Sequence, residues 1–386
     1  MRSIDIIRLW IATLLLYVAT GLIYPIFSLY MAYRGLSHYQ IGVVASIATL
    51  TSIIPIVLIG WYSDIVNREL VQGVIGLSII PLILIYTRLK SMIDFIIVHP
   101  LYFTLSYSYM TLSGAIAMDY IRTQRGLGFG RFRTSGSIGW MIGTFVGGWI
   151  VEKWGFLTVF YISPIFFLIS ALLFGIGGFR RKTMFYSREL GRKPYVKAFK
   201  EIITNRAIYP LMLAISIAWL TTPVYYTFLP LYMTESLRAS QLLSSLAFTV
   251  TPIGEIPAMI YLGALSDRIG RRKVIALCLS AYPLRYILTI SMKNPILVAL
   301  VQLLHGLTFG GLYVVSIAYL SDSVSENLKG LVLSTYTVVM NISSFIGNYL
   351  MGYILESYGF KVMYLSAAII SSLSVPILIM SRRRLK

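Results

Sequence analysis

The sequence predicts an all-α membrane protein with twelve membrane-spanning helices, arranged as two six-helix bundles. Three observations predict it: an apolar, charge-poor composition, twelve long apolar runs, and a repeat of the first half of the chain in the second. Of the 386 residues, 57% are hydrophobic and only 12% are charged. A soluble domain is about 25% charged, so this chain has too little charge to cover a surface in water. It is also too apolar to stay disordered. A single cysteine, Cys278, excludes a disulfide framework, a cysteine zinc site and an iron–sulfur cluster. Three histidines (His38, His99 and His305) leave little for a histidine metal site. The reading therefore calls for no metal and no cofactor.

A hydrocarbon core about 30 Å thick needs about 20 apolar residues per helix. The runs that qualify are 8–33, 38–62, 70–88, 93–119, 131–151 and 156–179, then 207–233, 240–262, 274–292, 295–320, 328–354 and 360–381. The first run is too long for a cleaved signal peptide, and no small-residue cleavage site follows it. Backbone amides inside lipid must bond within the segment, which makes the runs helices. The short alternating strands of a barrel are missing from the pattern.

Between the sixth and seventh runs lies 180–206, basic and the only long loop. It divides the chain into a first bundle (1–179), a linker (180–206) and a second bundle (207–386). With both termini in the cytoplasm, cytoplasmic segments hold 25 of the 33 Lys and Arg residues and outer loops hold 7. That split satisfies the positive-inside rule and accounts for the net charge of +19 without nucleic acid. The expected location is the plasma or inner membrane.

The halves match in sequence. Gly60-x-x-Ser63-Asp64 returns as Gly263-x-x-Ser266-Asp267, and Asp119 returns as Asp322, each 203 residues later. Tyr30-Met31 returns as Tyr232-Met233. The segment Gly148–Phe156 returns as Gly352–Phe360, with Glu152 matched by Glu356. Six helices per half bring both halves into the membrane in the same sense, a parallel repeat. Such an arrangement suits a solute crossing between two rocking bundles.

Two ionisable residues, Glu255 and Arg285, lie well inside the second half, and His305 joins them. At 1.5 Å per residue Glu255 and Arg285 sit about 12 and 16 Å from the inner surface and His305 about 15 Å from the outer one, close to the midplane. A charge at that depth is costly and is paired or placed in a cavity, so a Glu255–Arg285 pair is expected. In the first half, Tyr102, Ser106, Tyr109 and Ser113 form one polar stripe at helical spacing. With His99, Tyr226 and Asn341 they are cavity-lining candidates, the alternative being helix-to-helix glue. Pro223 predicts a kink beside Thr221, Thr222, Tyr225 and Tyr226. Gly139, Gly143 and Gly147, spaced by four, predict a close-packing face.

The loop Gly263-Ala-Leu-Ser-Asp267-Arg268-Ile-Gly270-Arg271-Arg272 closely resembles the signature of the major facilitator superfamily. The resemblance implies that superfamily's fold, with Asp267, Arg268 and Arg271 latching one face through a carboxylate such as Asp322. Gly60, Asp64, Arg68 and Asp119 form a degraded copy of the signature. Glu255-Ile-Pro, Arg285, Gln302–Gly310 and Gly130–Trp140 resemble the branch that contains the lactose permease and related nucleoside and phenylpropionate symporters. From that resemblance, Glu255 would bind substrate and couple protons, and Arg285 and His305 would complete the network. Arg133 would bind substrate, paired with a carboxylate that Asp119 could supply, and Trp140 would stack on the ligand. Where the lactose permease has a glutamate three residues after this histidine, the chain has Thr308, so coupling either rests on Glu255 alone or is absent. Gly143–Gly148 resembles the antiporter signature of the superfamily, with Thr144 in place of its proline.

The leading expectation is a monomeric secondary transporter that imports a sugar, nucleoside or aromatic acid with protons by alternating access. A multidrug exporter is the second reading, and a non-transporting membrane receptor the third. An ATP-driven pump would need a phosphate-binding loop, which the sequence lacks, and no enzymatic site is visible.

Overall fold

Apolar segments that cannot pass their amides to water close their hydrogen bonds along the chain, and the computed structural model is built of helices. It describes residues 3–121, 125–180, 205, 208–325 and 328–380.

α1 (Ser3–Ile23) runs through a 3-10 turn at Pro25 into α2 (Phe27–Tyr33). α3 (His38–Ile65) begins at a capping box formed by Ser37 and Gln40. α4 (Arg68–Tyr86) is capped by Asn67, whose side chain accepts from Glu69 N and Leu70 N. α5 (Met92–Tyr120) starts at a second capping box, Ser91 with Asp94. These polar caps satisfy the first-turn amides where each helix meets the headgroup region. α6 (Arg125–Trp154) and α7 (Phe156–Arg180) are separated only by Gly155, whose φ of +81° makes the turn.

The seventh passage is broken into α8 (Ile208–Leu220), α9 (Pro223–Tyr226), α10 (Leu229–Leu231) and a π turn at Tyr232–Ser236. The break falls at Pro223, where the missing amide cannot continue the ladder. α11 (Gln241–Thr249) and α12 (Thr251–Ile269) are split at Val250, just before Pro252. α13 spans Arg271–Ser291. α14 (Pro295–Val301) passes through a 3-10 turn at Gln302–Leu304 and a π segment at Gly306–Gly311 into α15 (Leu312–Asp322). α16 (Lys329–Ser372) is interrupted at Gly359, φ +78°, and α17 (Ser374–Met380) follows.

Nine described stretches are both long and apolar enough to cross a bilayer. α5 and α6, with 29 and 30 residues, have the length but are more polar. The stretch Lys329–Ile379 is two passages divided at Gly359. Within the described residues, the twelve predicted runs thus coincide with helical passages. The fifth begins at Arg125 rather than at 131, because its first turns are basic and glycine-rich and carry no apolar signal.

Contacts divide the chain into two compact units, Met1–Arg188 with Arg238–Thr249, and Glu189–Leu237 with Val250–Lys386. Apart from Arg180 and Asn205, the segment 180–206 lies outside the described residues. α11 groups with the first unit, where it packs on α6. A Cβ on Gly148 would strike the Ser245 side chain, Thr144 Oγ1 lies 2.9 Å from Thr249 Oγ1, and Glu152 Oε2 accepts from Leu242 N at 2.9 Å. The Ser240 hydroxyl and that amide hold the Glu152 carboxyl below the usual carboxylate range.

Gly139, Gly143 and Gly147 face α1. A Cβ on each would strike, in turn, the backbone oxygens of Leu14, Val18 and Leu22. The two helices meet backbone to backbone, the close approach that small residues spaced by four allow.

Candidate functional site

Helix packing brings Glu255 and His305 together. Gly254 and Gly306 stand where any Cβ would strike opposing backbone, and a Cβ on Gly310 would come within 3.2 Å of Glu255 O. The π segment Gly306–Gly311 therefore lies directly on α12 beside Glu255. Departures from the i, i+4 ladder often mark functional positions, and this one carries His305 at its start.

Arg285 is buried on α13. Its Nε and Nη2 donate to Gln302 Oε1 at 3.0 and 2.7 Å. Its Nη1 donates to Thr308 Oγ1 at 3.0 Å and lies 3.0 Å from His305 Nδ1. The guanidinium also lies 4.1 Å from the Tyr225 ring centroid, a cation–π contact. Arginine only donates, so Nδ1 of His305 accepts and the ring proton sits on Nε2. That nitrogen faces Glu255 Oε1 and the Tyr226 hydroxyl, each at 3.3 Å. The expected Glu255–Arg285 pair is thus replaced by a chain, guanidinium to imidazole to carboxylate. The Glu255 side chain keeps 19% of its surface exposed, against 6% for His305, so the carboxylate is the end of the chain that reaches outward.

Gln302 and Tyr225 complete this cluster. Gln302 orients the guanidinium while its amide donates to Val298 O at 2.9 Å and to Thr289 Oγ1 at 3.3 Å. The only sequence signal for it was its place in the segment Gln302–Gly310. Thr308, three residues after His305, serves here as an acceptor for Arg285.

The loop motif forms two matching pairs. Arg68 Nη1 bonds both oxygens of Asp119, at 2.7 and 2.9 Å, and Arg271 Nε bonds Asp322 at 2.7 Å. The partners are 51 residues apart in both cases, and the two copies are related by the 203-residue offset. Arg271 also approaches its neighbour Asp267 at 3.6 Å. Arg268 is exposed, Gly270 caps α13 with φ +96°, and the Asp64 side chain lies outside the described residues. Gly60 and Gly263 are half-buried on α3 and α12.

Three first-half expectations change. Asp119 is held by Arg68, so it does not pair with Arg133; exposed Arg133 reaches Tyr17 OH at 3.4 Å instead. Trp140 packs against Tyr24, with centroids 5.2 Å apart. The stripe on α5 is interior. Tyr102, Ser106, Tyr109 and Ser113 are all buried, and Tyr109 OH lies 2.9 Å from Ser170 Oγ on α7 while its carbonyl accepts from Gln72. Tyr109 thus joins α5 to α4 and α7, and Tyr102 packs on Phe27 of α2 and Tyr86 of α4. His99 is likewise buried, stacked 4.2 Å from Phe27 and 2.9 Å from Tyr86 OH. Asn341 is half-buried on α16.

Residues 6–366 match the family model described as the MFS_1 like family. The multidrug resistance protein MdtG of Yersinia enterocolitica is 24% identical over 378 residues, covering 94% of this chain and 89% of that protein. MdtG of Salmonella choleraesuis is 24% identical over 376 residues, covering 92% and 89%. Among solved structures, the nucleoside transporter NupG superposes with a TM-score of 0.76 at 17% identity, covering 99% of this chain and 98% of that one. A variant of the peptide transporter POT in complex with alafosfalin gives 0.75 at 14% identity, covering 98% and 95%. At those identities the likeness is one of fold.

Proposed function

We propose, from the premise that the chain belongs to the MFS_1 like family of membrane transporters, that it moves a small organic solute into the cell together with protons. The observation that carries this reading is the chain from Arg285 through His305 to Glu255. A carboxylate at the exposed end of a buried cation–imidazole chain has two stable conditions. It is charged while the chain faces it, and neutral once a proton replaces that partner. Alternation between the two conditions as the bundles rock would tie proton movement to solute movement. Bundles at 1–179 and 207–386, a linker at 180–206 and cytoplasmic termini in the inner membrane complete the reading, supported by the distribution of Lys and Arg. In this reading the protein works as a monomer.

A second reading is proton-driven export of drug-like compounds. The names of the MdtG relatives favour it. Both readings use Glu255, and the direction of the gradient response separates them.

The test is transport in proteoliposomes with and without an inward proton gradient, for the wild type and Glu255→Gln. Symport predicts gradient-driven accumulation that the variant abolishes. Antiport predicts accumulation driven by an outward gradient. Wild-type transport indifferent to the gradient would remove coupling altogether.

A further inference from the structure

Trp219, which lines the crevice beside His305, carries a donor that its neighbours leave unmatched. Around it, Thr222 Oγ1 donates to Trp219 O at 2.7 Å, Tyr282 OH to Thr308 O at 2.6 Å and Tyr286 OH to Thr221 O at 2.9 Å. Tyr226 OH and Arg285 meet the two nitrogens of His305. The indole Nε1 of Trp219 is buried with no hydrogen-bond partner among the described residues. A buried donor without an acceptor is costly, and a site built to hydrogen-bond a substrate leaves its own polar group unpaired when that substrate group is missing.

The surroundings of Trp219 specify the ligand's chemistry. Its ring lies parallel to that of Tyr226, at 15° and 6.5 Å, and meets the Phe309 ring at 72° and 6.2 Å. Tyr226 and Phe309 are both part-exposed, and Phe309 stacks on His305 at 5.2 Å. The free space between these groups is about 10 Å³, room for about one atom group the size of a water. A solute therefore sends one group into the crevice and rests the remainder on the rings outside. An indole N–H only donates, so that group is an acceptor. The crevice hydroxyls of Thr222, Tyr282 and Tyr286 spend their protons on main-chain carbonyls, so they have none left to donate to a solute oxygen.

We propose that Trp219 Nε1–H is a specificity-determining donor for the transported solute. The solute class is a planar aromatic compound carrying a carbonyl or carboxylate oxygen, its ring against Tyr226 and Phe309. The inference rests on the transporter reading above and names the substrate class within it.

The test is equilibrium binding to the purified full-length protein of benzoate, uridine, benzylamine and lactose. Benzylamine has the ring of benzoate but carries a donor in place of the acceptor. Trp219→Phe keeps the ring and removes the N–H; Trp219→His restores a ring N–H. The expected result is that benzoate or uridine binds the wild type and weakens about tenfold or more in Trp219→Phe. Trp219→His recovers part of that loss, and benzylamine is unaffected. Unchanged aromatic affinity in Trp219→Phe overturns the proposal, including the case where only its melting temperature falls, which assigns the N–H to a buried water. Wild-type binding of lactose without benzoate or uridine also overturns it, and should Trp219→Phe not fold, that wild-type comparison decides. Gradient-driven uptake of lactose would keep the transporter reading while the aromatic assignment falls. A wild type that binds none of the four overturns the aromatic assignment alone, because the transporter reading is judged by its response to a proton gradient.

Discussion

Adding one carbon to Gly143 should loosen the first unit, and the structure says by how much. The Cβ of Gly143→Ala would strike Val18 O and come within 3.0 Å of Gly21 Cα and of Val18 C. All three are backbone atoms on α1, so no side chain can rotate away. Ordinary contact begins near 3.4 Å, and α1 and α6 must therefore separate by on the order of 1 Å, opening gaps along the Gly139 and Gly147 contacts as well. Overpacking of this kind costs about 1–3 kcal/mol. At roughly 2–4 °C per kcal/mol for units of this size, the melting temperature should fall by several degrees. The control is Gly175→Ala on α7, where the added Cβ meets nothing within 4 Å and the gain in helix propensity is about 0.5–1 kcal/mol. Differential scanning fluorimetry on the detergent-purified protein compares the two. If Gly143→Ala melts within a degree of Gly175→Ala, the backbone-to-backbone account of the α1–α6 contact is wrong.

Asp322→Asn should preserve folding but change transport rate severalfold. The Arg271–Asp322 pair is well exposed, with 27% and 61% of its side chains accessible, and is worth about 0.2–1 kcal/mol. Equal wild-type and mutant rates in vesicles would remove the latch role. Glu152 predicts a pH effect of known sign. Its folded carboxyl is held low by Ser240 and Leu242 N, so its contribution is present at neutral pH and disappears as pH falls through that lowered value. Glu152→Gln should lower the melting temperature slightly at pH 7, consistent with about 0.3–1 kcal/mol for a carboxylate at a helix start. The difference should vanish in acid, and one that persists there would mean the charge is not responsible. Single cysteines at Ser187 and Arg238, in a Cys278→Ser background, should be labelled from opposite sides of the membrane; labelling of both from outside would overturn the topology.

The sequence alone determined the helices, because in lipid an apolar run has one way to satisfy its amides. It also determined the repeat, since the matched pairs Arg68–Asp119 and Arg271–Asp322 follow from residues that recur at one offset. It placed Glu255, Arg285 and His305 at one depth, because the rise per residue converts a position in a run into a distance. Which of them touch was left to the tertiary structure. Arg285 chose Gln302, Thr308 and His305, because close packing at Gly254 and Gly306 brings the π segment against α12 and inserts the imidazole between guanidinium and carboxylate. The polar stripe on α5 shows the same limit. Spacing put Tyr102, Ser106, Tyr109 and Ser113 on one face, but it could not say whether water or α4 and α7 would cover that face. Periodicity records which residues share a side of a helix, and only the packing of one helix on another decides what that side meets.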